Sequence, residues 1–276
     1  MENSIEYQGR KVFYEVTGRG EPVVLLHGYL ESLRIWDGFA GELAQRYMVI
    51  NIDLPGHGMS EVLGDTHPME ELATAVKKVV SAVVPGEKIL LVGHSLGGYV
   101  TLAFAEKYPE MLSAFCLFHS HPLADTDEVR QNRRREIGLV EAGKKELIYQ
   151  VNVPRAFAEE NVERLREEVT RATEIAKSTP DEGIIAMLRG MMLRPDRKVL
   201  FEEATVPVLW ILGKGDRYVS YEKITRAVHP SDKVRTVVLE RSGHMGFIEE
   251  REKALEVLTG FANTIWPVAG QHRSRG

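Results

Sequence analysis

Gly93-His94-Ser95-Leu96-Gly97 is the stretch that decides how this chain folds. It follows Lys88-Ile89-Leu90-Leu91-Val92, an apolar run that reads as a buried strand. It precedes Tyr99-Val100-Thr101-Leu102-Ala103-Phe104-Ala105, which reads as a helix. A Ser between two glycines at a strand-to-helix junction is a nucleophile elbow. The turn is so tight that the neighbours of the Ser must carry almost no side chain. In return the hydroxyl stands clear of the backbone at a helix N-terminus, whose free N–H groups favour developing negative charge. The five-residue pattern also occurs in ordinary Gly-rich turns. The strand before it, the helix after it and a third glycine for close packing, Gly98, select the catalytic reading.

A Ser hydroxyl is a poor nucleophile and needs a base. Ser242-Gly243-His244-Met245-Gly246 follows the strand-like run at 234–239, and a His between glycines on such a loop can reach over the elbow. Alone, it reads as a turn residue. The base in turn needs an acid to fix its tautomer. Gly213-Lys214-Gly215-Asp216 directly follows the strongly apolar run at 206–212. Alone, Asp216 reads as a turn residue or a helix cap. The chain order Ser, Asp, His, each after its own strand, turns three weak signals into one strong one.

With these motifs the chain resembles the α/β-hydrolase family over nearly its whole length. Leu25-Leu26-His27-Gly28-Tyr29 is similar to the family's oxyanion loop after its third strand, and the run at 53–60 to the loop after the fourth. The acid and histidine loops match at 213–216 and 243–249. The resemblance implies Ser95 as nucleophile, His244 as base, Asp216 as acid, and an oxyanion hole of the Tyr29 and Leu96 backbone N–H groups. Asp125 and Asp127 compete with Asp216, because some relatives carry the acid after the sixth strand. The match of 213–216 to the loop after the seventh favours Asp216. The apolar residues Leu30, Val219, Met245 and Phe247, together with His119, are the expected pocket. The expected reaction is hydrolysis of carboxylic esters with small to medium apolar acyl or aryl groups through an acyl-enzyme, requiring neither cofactor nor metal. A carbon–carbon bond hydrolase, a perhydrolase and a slow-turnover small-molecule receptor use the same triad and stay open. Relatives that hydrolyse epoxides or haloalkanes carry Asp where this chain has Ser95, which disfavours that chemistry.

The rest of the sequence agrees. Strands alternating with helices, with little polar alternation inside the strands, imply a mostly parallel open sheet covered by helices on both faces. The expected core is 1–121 together with 205–268. Between them, 122–204 breaks the alternation and reads as helices at 127–142, 144–157, 161–177 and 181–193, punctuated by Pro154, Pro180 and Pro195. In the family this position holds a helical cap, and the flexible Met187 and Met191 suit an adaptable wall. Arg133-Arg134-Arg135 lies among glutamates on an expected helix and reads as a solvated face. His119-Ser120-His121 reads as pocket wall or loop hydrogen bonds rather than a metal site, since zinc wants three or four ligands. His27 and His57, each before a glycine, read as loop braces.

With a net charge of −5, nothing argues for a nucleic-acid surface, which would need a basic face. No apolar run approaches the ~20 residues of a membrane span. The N-terminus lacks the pattern of a signal peptide, and the single Cys116 reads as a buried free thiol, so a cytoplasmic setting is expected. The expected partner is a small-molecule substrate. Monomer and homodimer stay open, and 269–276 reads as a disordered tail.

Overall fold

The alternation of strand and helix builds one sheet. The computed structural model describes residues 2–267, so the expected tail at 269–276 lies outside the described residues. The strands are β1 (Glu2–Tyr7), β2 (Arg10–Thr17), β3 (Pro22–Leu26), β4 (Met48–Ile52), β5 (Ile89–His94), β6 (Leu112–Phe118), β7 (Val208–Gly213) and β8 (Val234–Leu239). Their order among the described residues is β1-β2-β4-β3-β5-β6-β7-β8. The β1–β2 and β2–β4 pairs are antiparallel, and every pair from β4 through β8 is parallel.

Around the sheet run α1 (Asp37–Leu43), α2 (Met69–Val83) and α3 (Leu96–Lys107). Between β6 and β7 come α4 (Asp127–Glu141), α5 (Glu146–Ala156), α6 (Arg166–Ser178), α7 (Asp181–Leu193) and α8 (Lys198–Glu202). The chain closes with α9 (Tyr221–Ala227), α10 (Gly246–Glu249) and α11 (Arg251–Ile265). β3, β5 and β7 are buried at every position, because helices cover both faces of the sheet. The face of α2 expected from spacing is the buried one: Leu72, Val76, Val79 and Val80 all turn inward.

Strand order sets the position of the site. From β3 the chain crosses to β4 on one side, then returns to place β5 on the other side of β3. The loops leaving β3 and β5 therefore diverge, and a crevice opens between the carboxyl ends of these two strands. That crevice receives Gly28-Tyr29 from one loop and Ser95 from the other.

Two details differ from the sequence reading. The early antiparallel strand, expected alone, is half of a hairpin with β1. Its turn is Gln8-Gly9, both at positive φ (52° and 73°), the geometry that matches the twist of paired strands. The third helix of the insertion begins at Arg166 rather than near 161. Asn161 sits in a short 3-10 turn, and its amide donates to the Arg241 carbonyl and to Glu249 Oε2, both at 2.7 Å. The inserted helices pack in pairs, α4 on α7 and α5 on α6. Thr126 caps α4 by accepting the Val129 N–H, with Asp127 and Glu128 in the first turn complementing the helix dipole. Cys116 is fully buried on β6.

Candidate active site

Ser95 sits between β5 and α3 with φ 49° and ψ −112°, a strained conformation for a residue with a side chain. A Cβ on Gly93 would lie 2.2 Å from the Gly97 carbonyl oxygen, and one on Gly97 would lie 2.5 Å from the Leu26 carbonyl oxygen. Neither position admits a side chain, which is the steric demand inferred from the motif. The Ser95 N–H donates to the Phe118 carbonyl at 3.0 Å, and the Ser95 carbonyl accepts from Ser120 Oγ at 2.7 Å. The elbow is thereby fastened to β6 on its far side. Leu96 opens α3, so its N–H has no partner within the helix.

Asp216 and His244 meet at the carboxyl ends of β7 and β8. His244 Nδ1 donates to Asp216 Oδ2 at 2.7 Å. The other carboxylate oxygen, Oδ1, accepts from the backbone of Tyr218 at 2.8 Å and of Val219 at 2.9 Å. Burial alone would raise the Asp216 pKa. The opposing charge and hydrogen bond of His244 outweigh it and hold Asp216 below its ordinary value. Burial alone would likewise lower the His244 pKa, but the charge and hydrogen bond of Asp216 raise it overall. His94, immediately before Ser95, donates from Nε2 to the His244 carbonyl at 2.8 Å, and the two rings lie 4.9 Å apart. The His244 loop is thus seated on the elbow. Asp125 serves elsewhere: it takes a bidentate pair from Arg133, at 2.7 and 3.2 Å, and a further bond from Arg194. Asp127, the other competitor, lies at the exposed start of α4 beside Arg130.

The expected pocket residues take several roles. Leu30 is buried at φ 61° on the loop after β3. Val219 and Met245 are buried, and their backbone N–H groups bind Asp216 and Glu249. Phe247 is a core residue rather than a wall, with its ring 4.2 Å from that of Trp36 and 5.7 Å from that of Phe118. His119 is fully buried, accepts the Gly246 N–H at Nε2 and turns Nδ1 toward Asp216 Oδ2 at 3.7 Å. Burial pushes its pKa well below the ordinary value, so it stays neutral. His121 diverges from it toward Tyr99 and Leu123, so the two rings do not converge on a common point. His27 braces two loops, donating to the Gly28 carbonyl and accepting the Leu54 N–H. His57 packs its ring at a tilt on His27 and edge-on against Tyr29.

Other residues border the site without having been read from the sequence. Tyr218 places its ring 5.2 Å from His244 and donates its hydroxyl to the Asn152 carbonyl on α5. The Tyr29 hydroxyl donates to Glu136 on α4 at 3.1 Å, and the Asn152 amide donates to the same carboxylate. Arg133 and Glu136 correct the expectation of a solvated face: both are half-buried, while Arg134 and Arg135 are exposed. The signal was present, since Arg133, Glu136, Ile137 and Val140 share one helical face, and that face packs inward. Glu249 is buried and accepts from Ala158, Asn161, Gly243 and Met245, tying α10 to the segment after α5. A charged residue inside an otherwise apolar motif was its only sign. Met187 and Met191 are fully buried. Two surface clefts, of about 450 and 550 Å³, open along the base of the insertion, and Ser95, Asp216 and His244 line neither.

A family model described as the alpha/beta hydrolase family matches residues 23–257, from β3 into α11. The chain belongs to the alpha/beta hydrolase family. Among its relatives is a pimeloyl-[acyl-carrier protein] methyl ester esterase of Aeromonas hydrophila, 27% identical over 91% of this chain and 98% of the relative. The solved structure of a thermophilic esterase from Thermogutta terrifontis superposes with a TM-score of 0.89 at 28% identity, covering 96% of this chain and 99% of the other. The enol-lactonase from Burkholderia xenovorans shares the fold, with a TM-score of 0.85 at 19% identity over 95% of this chain and all (100%) of that one. Among the described residues no helix is long and apolar enough to cross a membrane.

Proposed function

We propose that this hydrolase cleaves carboxylic esters of small to medium apolar acyl or aryl groups through a covalent acyl-enzyme on Ser95. The observation that carries the reading is the 2.7 Å bond from His244 to Asp216 beside an elbow serine at φ 49°. Membership of the alpha/beta hydrolase family and similarity to ester-cleaving relatives support a hydrolase acting on esters.

Each residue has one task. The Ser95 hydroxyl attacks the ester carbonyl carbon while His244 Nε2 takes its proton. Asp216 holds the tautomer that leaves Nε2 free to accept and stabilises the imidazolium that forms. The carbonyl oxygen becomes an oxyanion held by the backbone N–H groups of Leu96 and Tyr29, where each donor is worth about 10²–10³ in rate. Collapse expels the alcohol, which leaves with the proton from His244. Water then gives its proton to His244, attacks the acyl-enzyme, and releases the acid and free Ser95. The chemistry calls on these side chains and backbone groups alone.

In the same reading 122–204 acts as a cap, which decides what reaches Ser95 without taking part in the proton transfers. Its support is the line of contacts from α4 and α5 to Tyr29 and Tyr218, on either side of the elbow. The test is a panel of p-nitrophenyl esters of increasing acyl length, run beside a vinylogous diketone and a fluorophosphonate probe. Fast turnover of short and medium esters with labelling confined to Ser95 is the expected result. Diketone cleavage without ester turnover would reassign the enzyme to carbon–carbon hydrolysis. Tight binding with negligible turnover would make it a receptor.

A further inference from the structure

Besides the Asp216–His244 bond, the site holds a second carboxylate–imidazole pair, with His94 fully buried and the Glu31 side chain 11% exposed. Glu31 Oε2 lies 3.0 Å from His94 Nδ1 and also accepts the Gly28 N–H at 2.6 Å. The opposite ring nitrogen of His94 donates to the His244 carbonyl. A continuous chain therefore runs from the loop after β3, through the residue preceding Ser95, to the backbone of the candidate base.

Hydrogen counting constrains this chain. The His244 carbonyl can only accept, so His94 Nε2 carries a hydrogen. His94 Nδ1 then faces a carboxylate oxygen, and that contact is favourable only if one further proton sits on Nδ1 or on Glu31. The couple thus shares a proton that an isolated neutral imidazole beside an ionised carboxylate would lack. Burial alone would raise the Glu31 pKa, while His94 and the Gly28 N–H bring it below its ordinary value. The His94 side chain is fully buried against Trp36 and Phe247, so water does not compete for these bonds.

The couple also sits beside the strain. Leu30, at φ 61°, directly precedes Glu31, and Ser95, at φ 49°, directly follows His94. A single rigid contact between Glu31 and His94 therefore sets the spacing of two distorted turns. Gly28 is shaped to it: a Cβ there would lie 2.8 Å from His94 Nδ1 and 2.9 Å from Glu31 Oε2.

We infer that Glu31 and His94 are positioning residues, a proton-sharing couple that registers the Tyr29 oxyanion donor and the His244 loop on Ser95 at the same time. The inference rests on the roles proposed above for Ser95, Tyr29 and His244. Its consequence is a loss in kcat rather than in KM, because both groups act after the ester is bound. Its second consequence is non-additivity, because either substitution breaks the same unit.

The experiment measures p-nitrophenyl butyrate hydrolysis by Glu31→Gln, His94→Gln, the double variant and Ser95→Ala, with competent sites counted by fluorophosphonate titration. Each single substitution should lower kcat per titrated site about tenfold or more while KM stays within about twofold. The double variant should fall no more than about twofold below the worse single. A kcat per titrated site equal to wild type in either single overturns the inference, and so does a double whose loss equals the product of the two. If Glu31→Gln fails to fold, Gly28→Ala takes its place, since its methyl must wedge the couple apart. Unchanged kcat in folded Gly28→Ala overturns the inference equally. Ser95→Ala separates the two levels. Activity that persists there defeats the proposed function itself, whereas an inert Ser95→Ala beside a normal Glu31→Gln defeats the positioning role alone.

Discussion

The carboxyl edge of the sheet and the helical insertion above it solve the problem of buried polar groups in opposite ways. At the sheet edge the backbone is distorted and the charges are networked. Three of the non-glycine residues at positive φ, Leu30, Ser95 and His119, sit on the loops after β3, β5 and β6. Such conformations cost about 1–3 kcal/mol each and survive only where the surroundings over-determine them. Here the surroundings are hydrogen bonds to the backbone of neighbouring loops. In the insertion the backbone is mostly regular helix, and its buried charges are held in ion pairs. Asp125 is clamped by Arg133 and Arg194, and Arg194 also lies over the Tyr99 ring at 3.8 Å. The difference teaches that buried charge serves geometry at the sheet edge and attachment in the insertion. Loss of a residue should therefore damage rate in the first region and stability in the second.

The largest effect belongs to Ser95→Ala. It should lower kcat on the order of 10⁶-fold and abolish fluorophosphonate labelling while leaving thermal stability close to wild type. Wild-type turnover in this variant would erase the contrast between the regions.

Asp216→Asn against Asp125→Asn sharpens it. Asp216→Asn should cost about 10⁴ in kcat, through loss of the His244 tautomer and imidazolium partner. Asp125→Asn should hold kcat within about tenfold yet destabilise the fold by about 3–5 kcal/mol, because two guanidinium groups lose their buried counter-charge. Differential scanning calorimetry and initial rates on the same preparations decide this, and the reverse pattern would move the acid to Asp125. Burial alone would raise the Asp125 pKa, but Arg133 and Arg194 depress it below the ordinary 3.8. A depressed carboxylate contributes stability that is present above the ordinary value and lost as pH falls through the depressed one. The Asp125→Asn variant should accordingly lose less stability than wild type when taken well below pH 3.8.

The pH–rate profile tests the sheet edge alone. His244 must be neutral to act as a base, and its pKa is raised above the ordinary 6.5 by Asp216 in spite of burial. kcat/KM should therefore rise with pH along a limb whose midpoint lies above 6.5. In Asp216→Asn that midpoint should move to lower pH, since burial then acts without its counterweight. A midpoint that does not move would detach His244 from Asp216. The stability term runs the other way: a raised imidazole stabilises the fold below its ordinary pKa, and that contribution disappears as pH climbs through the raised value.

The smallest effect sits where the two regions touch. Tyr29→Phe removes the hydroxyl bond to Glu136 and leaves the backbone N–H in place. It should alter kcat/KM by about tenfold or less, re-rank acyl chain lengths, and leave labelling by a small probe unchanged. An unaltered ranking across the ester panel would make the insertion a packing layer only.

Much of the molecule was legible before its structure. Gly93 is required by atoms within a few residues of Ser95, and apolar runs follow from burial on both sheet faces, so neither depends on distant partners, whereas Gly97 was legible only through the motif, since the atoms it makes room for belong to Leu26 and His27. The four long helices of the insertion were readable from spacing and from Pro180 and Pro195, whereas Pro154, expected to separate helices, lies inside the last turn of α5. The β1 hairpin was equally local, signalled by Gln8-Gly9, but its polar residues hid the strand. Arg133 and Glu136 failed differently. Charge on a helix usually marks solvent, and only the register of Val140 and Ile137 on the same face argued against it.

By itself the sequence determined which candidate residues sit at the ends of which strands: Ser95 after β5, Asp216 after β7, His244 after β8. Tertiary structure alone decided how those ends are held together. Glu31 and His94 are 63 residues apart and meet because β3 and β5 are neighbours across the point where strand order reverses, while His94 and the His244 carbonyl are 150 apart and meet although β8 stands three strands from β5. Periodicity and motif spacing report forces that act within one helix or one turn. A hydrogen bond between loops is set by the packing of the whole sheet, and that packing leaves no pattern in the residues nearby.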